Sequence, residues 1–135
     1  MQASLPDPHT PENWLRYARS DLTLAQSVAE LPDVLLETFC FHAQQAAEKS
    51  LKAVLLLHSL KFPYTHDLSA LVTLIQNAEV PWETTLDSVV DLTRYAVAGR
   101  YPNEIEAPTV EEYREAITIA SQVFAWAQTL IEESP

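Results

Sequence analysis

A single glycine, Gly99, set against nine prolines in 135 residues, constrains this chain more than any other feature. Rossmann turns and Walker loops need several positions where backbone can approach a phosphate, so neither can be written here. Alanine, leucine and glutamate are abundant and favour helix, while the prolines mark short connections between helices. No stretch alternates with period two, so no sheet is expected. The length matches one compact domain, and a 47% hydrophobic share is enough to bury a core.

Periodicity places the helices. Thr10-Pro11-Glu12 reads as N-cap, first helical position and first-turn acid. Trp14, Ala18, Leu22, Ala25 and Ala29 carry that helix to about Glu30, before Pro32. The second helix is predicted from about Leu35 to Leu60, with Phe39, Ala43, Ala46, Ala47 and Leu51 inward. From Leu51 to Leu57 it is apolar almost all round, so other helices or a second copy of the chain must surround it. After Pro63 a short helix runs from about Asp67 to Asn77, with Leu68, Leu71, Val72 and Ile75 on one side. A fourth takes Thr84 to about Ala98, with Leu86, Val89, Val90, Thr93 and Val97 inward, and Gly99 and Tyr101-Pro102 end it. Thr109 and Glu112 form a capping box. Behind it, Tyr113, Ile117, Ala120, Phe124, Ala127 and Ile131 run beside Ala116, Ile119, Val123, Trp126 and Leu130. The expected fold class is all-α, an up-and-down helical bundle of four long helices plus one short helix. Residues 1–10 form a tail and residues 11–135 a single domain.

Nineteen acids against eight bases leave a net charge of -11, which repels nucleic acid and anionic membranes. DNA is not expected as a partner. Contact with RNA or a nucleotide requires a local basic patch or a partner chain. The longest apolar run, Ala53 to Leu57, is too short to span a bilayer, and Met1 to Pro11 carries no basic apolar leader. The lone Cys40 excludes an internal disulfide and fits a reducing cytoplasm.

Three groups of residues could carry chemistry. His42, Gln45, Lys49 and Lys52 recur at three, four and three, so they share one face of the second helix opposite its alanine-rich side. This is a basic ridge on an acidic body; its plainer reading is a solvated face with Glu48 paired to Lys52 at i,i+4. His66, in Thr65-His66-Asp67-Leu68, could act as a base or phosphate contact; otherwise Thr65 or Asp67 is an N-cap and His66 a loop residue. Arg94-Tyr95 and Arg100-Tyr101 could hold a phosphate and stack a base, unless Arg94 pairs with Asp87 or Asp91 and Arg100 neutralises helix-end carbonyls. Cys40, between Phe39 and Phe41, reads as a small core residue. No His-x-x-x-His pair exists, so no metal is expected, and no cofactor is implied.

Several of these blocks, taken in order, resemble the HEPN domain. They are Trp14 with Ala18-Arg19-Ser20-Asp21-Leu22, the run from Cys40 through Phe41-His42-Ala43-Gln44-Gln45-Ala46-Ala47-Glu48-Lys49-Ser50-Leu51-Lys52 to Ala53, then Thr65-His66-Asp67-Leu68 and Arg100-Tyr101-Pro102. The resemblance covers about residues 12–130. It implies a helical bundle that forms a homodimer, often acting beside a minimal nucleotidyltransferase in a toxin–antitoxin type pair. Many members are metal-independent ribonucleases with an Arg-x(4–6)-His motif, and no arginine here has a histidine at that distance. Without that proton carrier the expected role is a nucleotide- or RNA-phosphate-binding module with no assigned catalytic residue, contacting its ligand through His42, Gln45, Lys49, Lys52, His66, Arg100 and Tyr101. The alternatives are a divergent metal-independent ribonuclease using His66 or His42, and a pure homodimeric assembly module. Tyr95, Tyr101 and Tyr113 are equal candidates for accepting a nucleotidyl group.

Overall fold

Thr10 caps the first helix as its place before Pro11 predicts, its Oγ1 accepting the Asn13 amide at 3.1 Å. The computed structural model describes residues 9–96 and 106–134. Helix α1 spans Pro11–Ala25 and ends short of Glu30. The Ser27 hydroxyl donates to the Thr23 carbonyl at 2.8 Å, a local bond that competes with further helix, and only a 3₁₀ turn at Val28–Glu30 follows.

Helix α2 spans Leu36–Leu57 and α3 spans Leu68–Asn77. Both end without glycine. Ser59 and Glu79 take φ of 56° and 60°, and the next amides, Leu60 and Val80, bond back to the carbonyls of Leu55 and Ile75. Asp67 caps α3 by accepting from the Ser69 amide at 3.1 Å.

The predicted fourth α-helix is instead a 3₁₀ helix over Thr84–Tyr95. Its buried residues, Leu86, Val89, Leu92 and Tyr95, are spaced by three, the period of that helix. Val90 and Thr93, expected inward, are only partly buried, and Val97 lies outside the described residues. An α-helical period would have turned Leu92 and Tyr95 away from the core. Residues 99–102, where the break after this helix is expected, also lie outside the described residues.

Helix α4 spans Val110–Glu133 behind the expected capping box: Glu112 N donates to Thr109 Oγ1 at 3.1 Å and Thr109 N to Glu112 Oε1 at 2.9 Å. Asp21 meets His42 while Trp14 meets Lys52, so α1 and α2 are antiparallel. Ala25 meets Tyr113 while Arg19 meets Phe124, so α1 and α4 are antiparallel as well. Helix α2 is the axis, flanked by α1 and α4, with α3 and the 3₁₀ helix on its remaining side. Of the run expected to be surrounded, Leu51, Ala53, Val54 and Leu55 are fully buried by the chain itself, while Leu56 and Leu57 are only partly buried. The fold is an all-α bundle, and no helix among the described residues is long and apolar enough to cross a membrane.

Candidate functional site

Because α2 is the axis, its polar side chains have little water to turn to and must find partners inside. Gln44, Glu48, Ser50 and Lys52 are all buried. Ser50 Oγ donates to the Ala46 carbonyl at 2.7 Å. Around Glu48 a chain of bonds closes: Gln45 Nε2 donates to Gln44 Oε1 at 2.7 Å, Gln44 Nε2 to Glu48 Oε1 at 3.0 Å, and Lys52 Nζ to Glu48 Oε2 at 3.0 Å. His66 Nδ1 completes it, 2.8 Å from Glu48 Oε1.

Burial pushes the Glu48 carboxyl up, but the bonds from His66, Gln44 and Lys52 outweigh it and hold the group below the usual carboxylate range. An ionised carboxylate only accepts, so His66 Nδ1 carries the hydrogen. Nε2 lies at the other edge of the ring, on a side chain that is 50% exposed. A buried acid thus orients an accessible histidine.

The second part of the polar seam is built on α1. Asp21 takes His42 Nδ1 at 2.9 Å on one carboxylate oxygen and Lys49 Nζ at 2.6 Å on the other. The outward cationic ridge expected on α2 is therefore corrected. Lys52 is 8% exposed, paired with Glu48 and held near the rings of Trp14 and Phe62 at 5.8 and 5.5 Å. Lys49 is neutralised by an acid 28 residues away in sequence, and its side chain is 25% exposed. Asp21 and Glu48 thus cancel the charges of Lys49 and Lys52. The expected Glu48–Lys52 pair is present.

A separate cleft lies where the 3₁₀ helix meets α4. Arg94 stacks over the Tyr95 ring at 4.8 Å and donates to its Oη at 2.8 Å. Its ion pair is with Glu112, at 3.4 Å, rather than with Asp87 or Asp91, the alternative the sequence leaves open. The capping box explains this, because it fixes Glu112 at the α4 terminus facing Arg94. Asp87 instead accepts from Trp82 Nε1 at 2.8 Å. Burial raises the Tyr95 and Tyr113 hydroxyls above the usual range, and Tyr113 Oη is committed to the Ala25 carbonyl at 2.7 Å. Both tyrosines are buried, 2% and 7% exposed, although Tyr95 borders the cleft. Arg100 and Tyr101 lie outside the described residues. Cys40 is fully buried, and desolvation pushes its thiol up to about 11, so it sits as an inert core residue.

Sequence reasoning pairs Glu48 with Lys52 but misses the bonds of Glu48 to Gln44 and His66, and misses Asp21 as the partner of His42 and Lys49. The available signal is Gln44, Glu48 and Lys52 at intervals of four on a helix with little polar surface elsewhere. Among the described residues, no three His, Cys, Asp or Glu side chains converge where a metal could sit.

These features define an all-α bundle with a paired polar seam along its central helix. The family model described as the HEPN domain matches residues 11–130. The chain belongs to the HEPN family. It is similar to the crystal structure of TT1696 from Thermus thermophilus, with a TM-score of 0.71 and 28% sequence identity over 88% of this chain and 96% of that one. None of the curated proteins matches it.

Proposed function

We propose that this HEPN protein binds the phosphate of a nucleotide or RNA through His42, Gln45, Lys49 and His66 along the polar seam of α2. The observation that carries the reading is the Glu48–His66 pair, in which a buried acid orients a half-exposed imidazole. Lys52 serves as the buried counter-ion to Glu48 and not as a direct ligand. Arg100 and Tyr101 supply further contacts. In keeping with its family, the protein acts as a cytoplasmic homodimer beside a minimal nucleotidyltransferase in a toxin–antitoxin type pair.

Calorimetry with ATP and with a short RNA, on the parent and on His66→Ala and Lys49→Ala, tests the binding. Saturable heat in the parent, weakened by both substitutions, is the expected result; no heat with either ligand overturns it. Co-purification with a nucleotidyltransferase encoded next to this chain tests the pairing.

The same pair of residues favours a second reading, a metal-independent ribonuclease. His66 Nε2 would take the 2′-hydroxyl proton as that oxygen attacks phosphorus, and the proton would go on to the leaving 5′-oxygen. RNA cleavage in the presence of a chelator, lost in His66→Ala, would decide for it.

A further inference from the structure

A groove of about 670 Å³ runs between the entry to the 3₁₀ helix and the second half of α4, remote in sequence from the residues of the polar seam. Its apolar wall is built by Trp82, Leu86, Trp126 and Leu130. The two indoles meet edge to face, with centroids 5.1 Å apart. Both indole N–H groups are already used, Trp82 Nε1 on Asp87 and Trp126 Nε1 on the Pro81 carbonyl, each at 2.8 Å. The rings therefore offer a caller their apolar surfaces and no unmet donor.

On α4 the lining positions are 122, 125, 126, 129 and 130, the i, i+3, i+4, i+7, i+8 pattern of one straight helical stripe roughly 12 Å long. Small Ala125 and Thr129 in that stripe are exposed and leave room for a second rod to lie alongside.

The charge around the groove has one sign. Glu83 lines the groove, Glu79 and Asp87 stand four residues to either side of it, and Glu132 and Glu133 follow Leu130; the first bases beyond are Arg94, paired with Glu112, and Arg114, two turns before Gln122. Arg19, which covers the Phe124 ring, reaches α4 from α1 and lines no part of the groove. A second copy of this chain meeting itself here would set acids against acids. An apolar stripe with cationic flanks would be attracted at both levels.

We propose that the groove between Trp82 and Trp126 receives a basic amphipathic helix of a partner protein, apolar residues against the indoles and Lys or Arg toward Glu83 and the neighbouring acids. The reading is independent of phosphate binding at His66.

The test uses three fluorescein-labelled peptides with the full-length protein: a Leu/Lys helix with leucines at i, i+3, i+4 and i+7, the same composition scrambled to lose the stripe, and a Leu/Glu helix of the first pattern. Anisotropy at low salt should give saturable binding of the first, at least about tenfold weaker binding of the second and none of the third. Thr129→Arg, an exposed substitution that fills the groove with a cation, should weaken the first peptide about tenfold, as should Glu83→Lys. Equal binding of the striped and scrambled peptides, or unchanged binding to Thr129→Arg, overturns the proposal. So does light scattering that shows the parent associating with itself and Thr129→Arg monomeric, because the occupant is then a second copy.

Discussion

His66 Nδ1 lies 2.8 Å from the Glu48 carboxylate, so a half-exposed loop imidazole is tied to an acid buried in the central helix 18 residues earlier. Lys52 holds the other carboxylate oxygen from one turn further along α2. Glu48 thus joins the α3 approach to the bundle axis, and its charge is balanced from inside.

Removing that charge strands Lys52. Glu48→Gln keeps the shape of the side chain but leaves a buried ammonium without a counter-ion, a change expected to cost about 3 kcal/mol in urea unfolding. Lys52→Met added to Glu48→Gln should restore much of the loss, since Met keeps an apolar stem between Trp14 and Phe62 and buries no charge. A double variant no more stable than Glu48→Gln alone would mean that the charge pair is not what the site depends on.

The same group sets a pH dependence. Its carboxyl is lower in the folded protein than the ordinary value of 4.5, so its stabilising contribution is fully present above that value. The contribution is lost as pH falls through the folded value. Urea midpoints should fall on acidification below about pH 4.5, and Glu48→Gln should flatten that fall. Glu112, lowered by its capping bonds to Thr109, acts in the same direction and accounts for part of the slope that remains.

The 3₁₀ helix makes a prediction that an α-helical reading reverses. Leu92 is fully buried on the three-residue stripe, whereas Val90 is only partly buried. Leu92→Ala should cost about 2–5 kcal/mol, and Val90→Ala about 1 kcal/mol or less. Both are read from denaturant midpoints. Equal costs would show that the segment does not hold its three-residue register in solution.

Local signals are legible in the sequence, and tertiary ones are not. Thr10-Pro11, the Thr109–Glu112 box and the Glu48–Lys52 spacing each involve residues within four of one another, and backbone geometry alone brings them together. Lys49 finds Asp21 across 28 residues, and His66 finds Glu48 across 18. No periodicity encodes those meetings, which depend on α1 lying antiparallel to α2 and on the loop before α3 folding back. The 3₁₀ segment escapes a sequence reading for another reason. Leu86 and Val89 fit a period of 3.0 or 3.6 equally, and only Leu92 and Tyr95, left out of the α-helical pattern, separate the two. The lysine stripe does share one face, but a face of the axial helix is mostly an interior one.

Asp21 supplies the sharpest test of phosphate binding, because it predicts a gain. Its carboxylate occupies one N–H of Lys49 and the Nδ1 of His42, and it opposes any anion brought to the same place. Asp21→Asn keeps a hydrogen-bonding group of the same size but removes the negative charge. A phosphate held about 5 Å away would lose a repulsion of roughly 1 kcal/mol in a water-like medium, so ATP should bind the variant about threefold to tenfold more tightly by calorimetry. Lys49→Ala changes the opposite sign of charge and should weaken binding. If instead both substitutions weaken ATP, Asp21 acts by positioning Lys49 and His42; if neither has an effect, the ligand sits elsewhere on the bundle.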